Sequence, residues 1–474
     1  MLKYLNYKNY TDMEREERQI VNEGQIVTED QTITQDQAIT EDQTAVAVGE
    51  QAMQLPPMPV TLPPLIELLV SKVEPRFRPA VACSVFPPLA IHMKNYSFMG
   101  LDGREGRQCV FYSVLVAETG SGKSCVDEPI KIIIGDIAEA DKESMEKERE
   151  WMEVDENREH IALKPHFPIQ ILPDDSVSSS AFIDRLCAAE GRYIYVKTPE
   201  IETLYGIADG KRDKIATLFK KGFDNDQYGH MRSTSKGYTG IAPLRWMCNA
   251  STTPSTALGF FGRGKFADGT GSRVDFCTIV QEDKFARRPK VKRYNNSYKT
   301  NVKPYIDRLK AVQGELYCEE LYDFMGRLDD EIHDIFKKAG DQVGFNLAHR
   351  AMDITLSKAI VLYYAHGEWT PAIEDFLRWS VMYHMAVKLN LFGENMEEEL
   401  AKDAEIMKPK KQVNYISRLP KHFTVADIEA LYRADHPEYT DKEIRTKALA
   451  IGRSWVHEGK ITGDRNIGWT KVDK

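Results

Sequence analysis

The feature that most constrains this chain is the stretch 109–124, which reads Cys-Val-Phe-Tyr-Ser-Val-Leu-Val-Ala-Glu-Thr-Gly-Ser-Gly-Lys-Ser. Its first half is apolar and β-branched, which suits a buried strand. Its second half has the spacing of a phosphate-binding loop: Gly, four free positions, then Gly-Lys-Ser/Thr, with Ala117 standing where the first Gly belongs. The loop comprises Ala117, Glu118, Thr119, Gly120, Ser121, Gly122, Lys123 and Ser124. Gly120 and Gly122 let the backbone turn its N–H groups toward phosphate oxygens. Lys123 can reach the β- and γ-phosphates, and the Ser124 hydroxyl can ligate Mg²⁺. A helix should start here and add its positive dipole end. The bland alternative is a chance Gly/Ser turn before a helix, and the preceding strand argues against it. ATP with Mg²⁺ is the expected ligand.

A chain of 474 residues has room for two to four domains. With 42% hydrophobic and 28% charged residues it is globular in composition, and no apolar run of about 18 residues signals a membrane span. The N-terminus lacks the apolar core of a signal peptide. The seven cysteines are dispersed with no Cys-x-x-Cys pair, which reads as reduced thiols, so a cytoplasmic location is expected. The net charge of −9 is unevenly spread. Residues 1–55 hold four Lys/Arg and eleven Asp/Glu (4 − 11 = −7), whereas residues 408–474 hold fourteen against nine (14 − 9 = +5). An acidic tail followed by a nearly neutral body with a basic end permits nucleic-acid contact.

Residues 1–55 contain three imperfect acidic hexads (29–46) and read as a disordered tail. The segment 56–105 is helical and broken by prolines, 106–300 holds the ATPase core, 301–407 is a helical domain, and 412–474 is a separate small domain. Charged residues 138–160 read as a solvated helix face or a subunit contact.

A phosphate-loop enzyme needs carboxylates near the loop, to hold the Mg²⁺ water shell and to polarise the attacking water. Asp174-Asp175 after one short strand and Glu200/Glu202 after the next both qualify; we prefer Glu200 as catalytic carboxylate and metal-side ligand, although Pro199 stands where an Asp is usual. The bland alternative is that Glu200 and Glu202 begin an exposed helix. Residues 224–241 form a hairpin pattern around Ser235-Lys236-Gly237. His230, Arg232 and Lys236 are candidate contacts to a phosphate backbone, weighed equally against an ordinary solvated hairpin. The strand from Leu244 should end at Asn249, whose side chain could hold the lytic water or sense the γ-phosphate. Arg273, in Gly271-Ser272-Arg273, could complete a neighbouring subunit's site as an arginine finger, or simply pair with a surface carboxylate. Lys284–Arg293 is a second basic candidate. Stripes such as Leu356/Ala359/Ile360 and Trp379/Met382/Met385 read as core. Beyond Tyr415 the order helix, helix, β-hairpin suggests a helix–turn–helix with a terminal wing.

With these motifs placed, residues 56–390 resemble the P-loop ATPase family of phages and mobile genetic elements that borders virulence-associated protein E and the superfamily 3 helicases. The resemblance rests on the pre-loop helices, Thr119–Ser124, the Thr-Pro-Glu-Ile-Glu-Thr-Leu strand end (198–204), the Asn249 strand and Gly271-Ser272-Arg273. It implies an α/β fold with an AAA+-like core and assembly into a homo-oligomeric ring, taken as a hexamer. It also implies that the Lys236 hairpin matches the DNA-gripping hairpin of superfamily 3. Ala117 and Pro199 depart from the strict patterns and bear on the rate of hydrolysis more than on binding. The expected function is an ATP-dependent DNA motor, a replicative helicase of a mobile element or phage. Single-stranded DNA would run in the channel, with duplex DNA at the winged-helix-like domain. Priming would fall to a separate primase, and no membrane is involved. An ATP-gated replication initiator or switch without unwinding is the alternative, and a defence or packaging ATPase is a third reading.

Overall fold

The computed structural model describes residues 54–154, 164–173, 177–230, 240–262, 264, 266, 268–280, 294–407 and 414–472. Residues 1–53, Asp174-Asp175 and the basic run 284–293 lie outside them. The chain divides into two compact units, Met1–Lys402 and Asp403–Lys474.

Unit 1 opens with three short helices that start at or beside prolines, where a missing N–H costs nothing: α1 (Pro64–Val70), α2 (Arg78–Ser84) and α3 (Phe86–Ala90). They lead into β1 (Tyr96–Phe98) and β2 (Tyr112–Val116), the strand before the loop. After the loop come α4 (Asp127–Ile133), α5 (Gly135–Glu153), β3 (Ile171–Leu172), α6 (Ser179–Ala188) and β4 (Ile194–Thr198). Then follow α7 (Arg212–Phe223), the hairpin strands β5 (Gln227–His230) and β6 (Gly240–Pro243), β7 (Trp246–Thr252), α8 (Pro254–Phe261) and β8 (Asp275–Thr278). The unit finishes with α9 (Asn296–Ala311), β9 (Gly314–Leu316), α10 (Glu319–Ala339), α11 (Gln342–His366) and all but the last five residues of α12 (Pro371–Met407).

The centre is a five-stranded parallel sheet of order β3-β4-β7-β2-β8. Both faces are covered, which is why β2 is a continuous run of buried residues and not an alternating one. On one face Tyr112, Trp246 and Phe219 of α7 interlock, with ring centroids 4.7–5.2 Å apart. Gly222 lets α7 come this close: a Cβ there would lie 2.3 Å from the Tyr112 hydroxyl and 2.8 Å from Trp246 Nε1. The opposite face receives α2, where the Ser84 carbonyl accepts from Asn249, and the α11–α12 pair, whose Lys358 and His384 meet Asp275. A parallel pairing of β1 with β9 ties the segment before the loop to the helices after the sheet. Residues 56–105, 106–300 and 301–402 therefore share one hydrophobic core.

Unit 2 contains α13 (Tyr415–Arg418), β10 (His422–Phe423), α14 (Val425–Asp435), α15 (Asp441–His457), β11 (Ile461–Asp464) and β12 (Gly468–Lys471). The strands form an antiparallel sheet of order β10-β12-β11. Leu419, Phe423, Ile428, Ala448, Ile461 and Trp469 make its own small core. Thr424–Asp427 and Thr440–Glu443 are capping boxes that fix the starts of α14 and α15.

Some boundaries differ from those expected. The helix after the loop begins with a 3₁₀ turn, Lys123–Val126, and becomes α-helical only at Asp127. Pro129 explains the delay, since it is tolerated in the first turn of a helix and not further in. Strand β7 runs three residues beyond Asn249. No helix among the described residues is long and apolar enough to cross a membrane.

Candidate nucleotide site

In a parallel sheet every strand ends on the same edge, and the segments after β2, β4 and β7 therefore converge. The first is the loop. Gly120 (φ 80°) and Gly122 (φ 94°) both occupy the left-handed region, which side chains avoid, so glycine is required at these two positions. Ala117 keeps an ordinary backbone angle, is buried, and donates its N–H to the Thr252 carbonyl (3.1 Å). The position of the expected first Gly thus makes no demand that Ala fails to meet.

Among the described residues, the N–H groups of Gly120, Gly122, Lys123 and Ser124 donate to no protein acceptor. The Ser121 hydroxyl is buried and also lacks a partner there. Lys123 folds back so that its Nζ donates to the Ala117 carbonyl at 3.0 Å, capping the loop with its own cation. Ser124 is exposed at the loop's end. This is a ring of unsatisfied donors plus one ammonium, which is the donor set a phosphate chain requires. Burial pushes the neighbouring Cys125 thiol up to about 12, so it stays protonated and takes no part at neutral pH.

Glu200 lies just past the end of β4, exposed, as the residue that precedes the 3₁₀ helix Ile201–Ala208. Its backbone is pinned: the Thr198 and Thr203 hydroxyls donate to its carbonyl at 2.8 and 2.9 Å, and its N–H donates to Thr198 Oγ1. Because β7 intervenes, the β4 and β2 axes are two strand spacings apart, about 10 Å. Lys197 reaches across toward the loop and pairs with Asp127 at the start of α4 (2.7 Å). Sequence reasoning missed that tie, because nothing local connects the two residues.

Asn249 is not at the strand end. It is paired with Ser113 and Lys197 in mid-strand, is buried, and has both ends of its amide occupied: Tyr195 donates to Oδ1 (2.8 Å) and Nδ2 donates to the Ser84 carbonyl (2.9 Å). The polar residue level with the loop is Thr252, paired with Val116, followed by Thr253, which caps α8. The signal for it was the Ser-Thr-Thr-Pro run, where Pro254 marks the helix start.

Arg273 precedes β8 and so lies at the opposite edge of the sheet from its own loop. Its guanidinium pairs with Asp224 at the end of α7 (2.8 Å), donates to the Gly269 carbonyl (2.8 Å) and lies over the Phe223 ring. Arg350 of α11 shares this cluster, 3.0 Å from Asp353 and 3.8 Å from Asp224. Behind it is a buried polar knot. Asp275 meets Lys358 (2.7 Å) and His384 (2.8 Å), and Lys388 Nζ donates to the Ser272 carbonyl (2.9 Å), next to Arg273. Burial would raise the Asp275 carboxyl, but Lys358 and His384 hold it below the ordinary carboxylate range. Burial drives Lys388 down to about 7 against the pull of Asp275, with Lys358 adding to the fall.

The hairpin exists as antiparallel β5 and β6, with His230 opposite Gly240. It enters the sheet at the start of β7, the same edge as Arg273. Arg232 and Lys236 fall in its connection and lie outside the described residues; of His230 only the backbone is described. The structure thus gathers Ala117–Ser124, Glu200 and Thr252 at one edge, and the hairpin and Arg273 at the other. Among the described residues no cluster of three or more His, Cys, Asp or Glu side chains is arranged to hold a metal.

No family model and no curated protein matches this chain. Among solved structures, one titled "SCCmec type IV Cch - active helicase" aligns over 86% of this chain and 67% of that chain, at 11% identity and a TM-score of 0.28.

Proposed function

We propose that the protein is an ATP-dependent DNA motor with an AAA+-like core, acting as a replicative helicase of a mobile element or phage. The observation that carries the reading is the loop: two left-handed glycines, unsatisfied N–H groups and Lys123, all at the carboxyl end of a buried parallel strand. The free donors and the orphaned Ser121 hydroxyl fit a triphosphate, for which Lys123 would exchange the Ala117 carbonyl. Ser124 and Glu200 would hold Mg²⁺, which when bound offsets phosphate charge, and Glu200 would orient and deprotonate the attacking water. Thr252, not Asn249, stands where a polar side chain could meet the γ-phosphate.

Arg273 cannot serve its own loop from the far edge of the sheet, so any nucleotide it touches belongs to a neighbouring copy. That supports a ring. The hairpin on the same edge is the reading's DNA contact, through His230, Arg232 and Lys236, with single-stranded DNA in the channel. Unit 2 has the order helix, strand, helix, helix, two strands and is read as a winged-helix-like module that meets duplex DNA. The alternative, an ATP-gated initiator or switch, is favoured by one ion pair: Arg273 is tied to Asp224 and would have to be released before it could act.

Lys236→Ala separates the two. In the motor, basal ATPase survives while stimulation by single-stranded DNA and strand separation disappear together. The salt dependence of binding becomes shallower by about one log–log unit for each phosphate that is no longer neutralised. Normal unwinding by Lys236→Ala would remove the hairpin from the mechanism, whereas ATP-dependent DNA binding with no strand separation by the wild type would leave the switch reading.

A further inference from the structure

The first carboxylate after the loop is Asp127. It lies three residues beyond Ser124, and its N–H donates to the Ser124 carbonyl at the end of the 3₁₀ turn Lys123–Val126. That turn sets the direction of the side chain. In a 3₁₀ helix side chains three apart eclipse, at about 2.0 Å of rise per residue, so Asp127 stands in line behind Ser124, about 6 Å along the axis. Pro129 has no N–H for an α-type bond to the Cys125 carbonyl, which keeps the turn tight.

A cation from another strand already meets this carboxylate. Lys197 Nζ lies 2.7 Å from Asp127 Oδ1, with 33% and 36% of the two side chains exposed. Lys197 is in register with Asn249, whose amide donates to the Ser84 carbonyl, so it projects from the face that carries α2. Two residues on, where alternation would return a side chain to that face, stands Pro199, which carries no carboxylate. The adjacent acid, Glu128, is turned to Lys131 on its own helix (3.0 Å). Asp127 is instead turned toward the end of β4, where a phosphate-loop site needs a metal-side acid. An ion pair this open adds little stability, since water screens it and both side chains lose freedom in it. Its cation can therefore be exchanged for another.

We propose that Asp127 is a metal-side carboxylate of the nucleotide site, meeting a water of the Mg²⁺ that Ser124 ligates, and that Lys197 competes with the ion for it. Bound Mg²⁺ keeps several waters and takes one or two carboxylates beside the phosphates. Asp127 thereby shares the metal-side role that Glu200 otherwise combines with polarising the attacking water. Where no metal is bound, Lys197 screens the carboxylate from the phosphates, so the same pair eases the entry of metal-free nucleotide. The inference rests on the phosphate-loop reading and is independent of DNA and of ring assembly.

The test is equilibrium binding of a fluorescent, non-hydrolysable ATP analogue to the full chain, followed by anisotropy in Mg²⁺ and in EDTA. The readout is the ratio of the two affinities. Asp127→Asn should lower that ratio about ten-fold or more, the usual loss when an outer-shell partner of a metal is removed. Asp127→Glu keeps the carboxylate and should retain more of the ratio. Lys197→Met should move it the other way, up about two- to five-fold, the worth of an exposed ion pair. A pair that only braces the fold predicts otherwise, because both substitutions would then act in one direction or on the melting temperature alone. A ratio within about two-fold of wild type in Asp127→Asn, or one that fails to rise in Lys197→Met, overturns the proposal. Should Asp127→Asn not fold by circular dichroism, the sign of the Lys197→Met effect decides alone. Lys123→Ala is measured alongside. Analogue that does not bind the wild type, or binds Lys123→Ala equally well, sinks the loop reading and the proposal with it. Analogue that needs Lys123 but whose ratio ignores Asp127 sinks the proposal only.

Discussion

Replacing Lys388 with Met should make this protein more stable at neutral pH. The lysine is fully buried, and its amine donates to the Ser272 carbonyl. Burial brings that amine from 10.5 to about 7, so it is harder to charge in the folded chain than in the unfolded one. Folding is therefore penalised wherever the unfolded lysine is protonated. The penalty is constant below about pH 7, shrinks between pH 7 and 10.5, and is gone above that. At about 1.4 kcal/mol per pH unit, its full size is on the order of 5 kcal/mol. Losing the hydrogen bond leaves the Ser272 carbonyl unpaired, at a cost of about 1–3 kcal/mol. Methionine fills a comparable volume without strain. The net gain is on the order of 2–4 kcal/mol by these terms. Urea unfolding of both proteins at about pH 6.5, 8 and 10 reads it directly. The Met variant should lead most at pH 6.5, less at 8, and not at all near 10. A variant less stable than wild type at pH 6.5, or an advantage that ignores pH, would refute the reasoning.

Gly222→Ala drives a methyl group into Tyr112 and Trp246 and should cost about 1–3 kcal/mol in the same urea assay. Glu200→Gln should leave ATP binding intact by equilibrium titration and slow hydrolysis on the order of 10²-fold, the usual size for losing a general base. Arg273→Ala subunits mixed with Lys123→Ala subunits should recover part of the ATPase rate that neither has alone. No recovery with assembly intact would give Arg273 a purely local role beside Asp224.

The loop was legible because its chemistry is local: two residues must take left-handed angles, and a lysine and a hydroxyl must follow at once. The strands around it were legible as apolar runs, and the hairpin as two β-prone arms. Asn249 was misplaced because a polar residue in an apolar run looks like a strand end; what keeps it inside is the Tyr195 hydroxyl and the Ser84 carbonyl, 54 and 165 residues away. The Asp224–Arg273 pair is similarly distant in sequence, and only the meeting of α7 with the turn before β8 creates it. Lys358 and Lys388 were absent from the apolar stripes read on α11 and α12, since lysine almost never lies fully inside unless paired. Asp275 is what draws Lys358 in. In unit 2 the helix, helix, hairpin order was readable.

The most direct measurement of the central claim is ATP hydrolysis by wild type and Lys123→Ala, each with and without single-stranded DNA. Lys123 is the loop's own cation, and its Nζ donates to the Ala117 carbonyl. The account expects wild-type hydrolysis that rises with DNA, and neither activity nor stimulation in Lys123→Ala, whose fold is unchanged by circular dichroism. Wild-type turnover in Lys123→Ala, or hydrolysis by the wild type that ignores DNA, would contradict it.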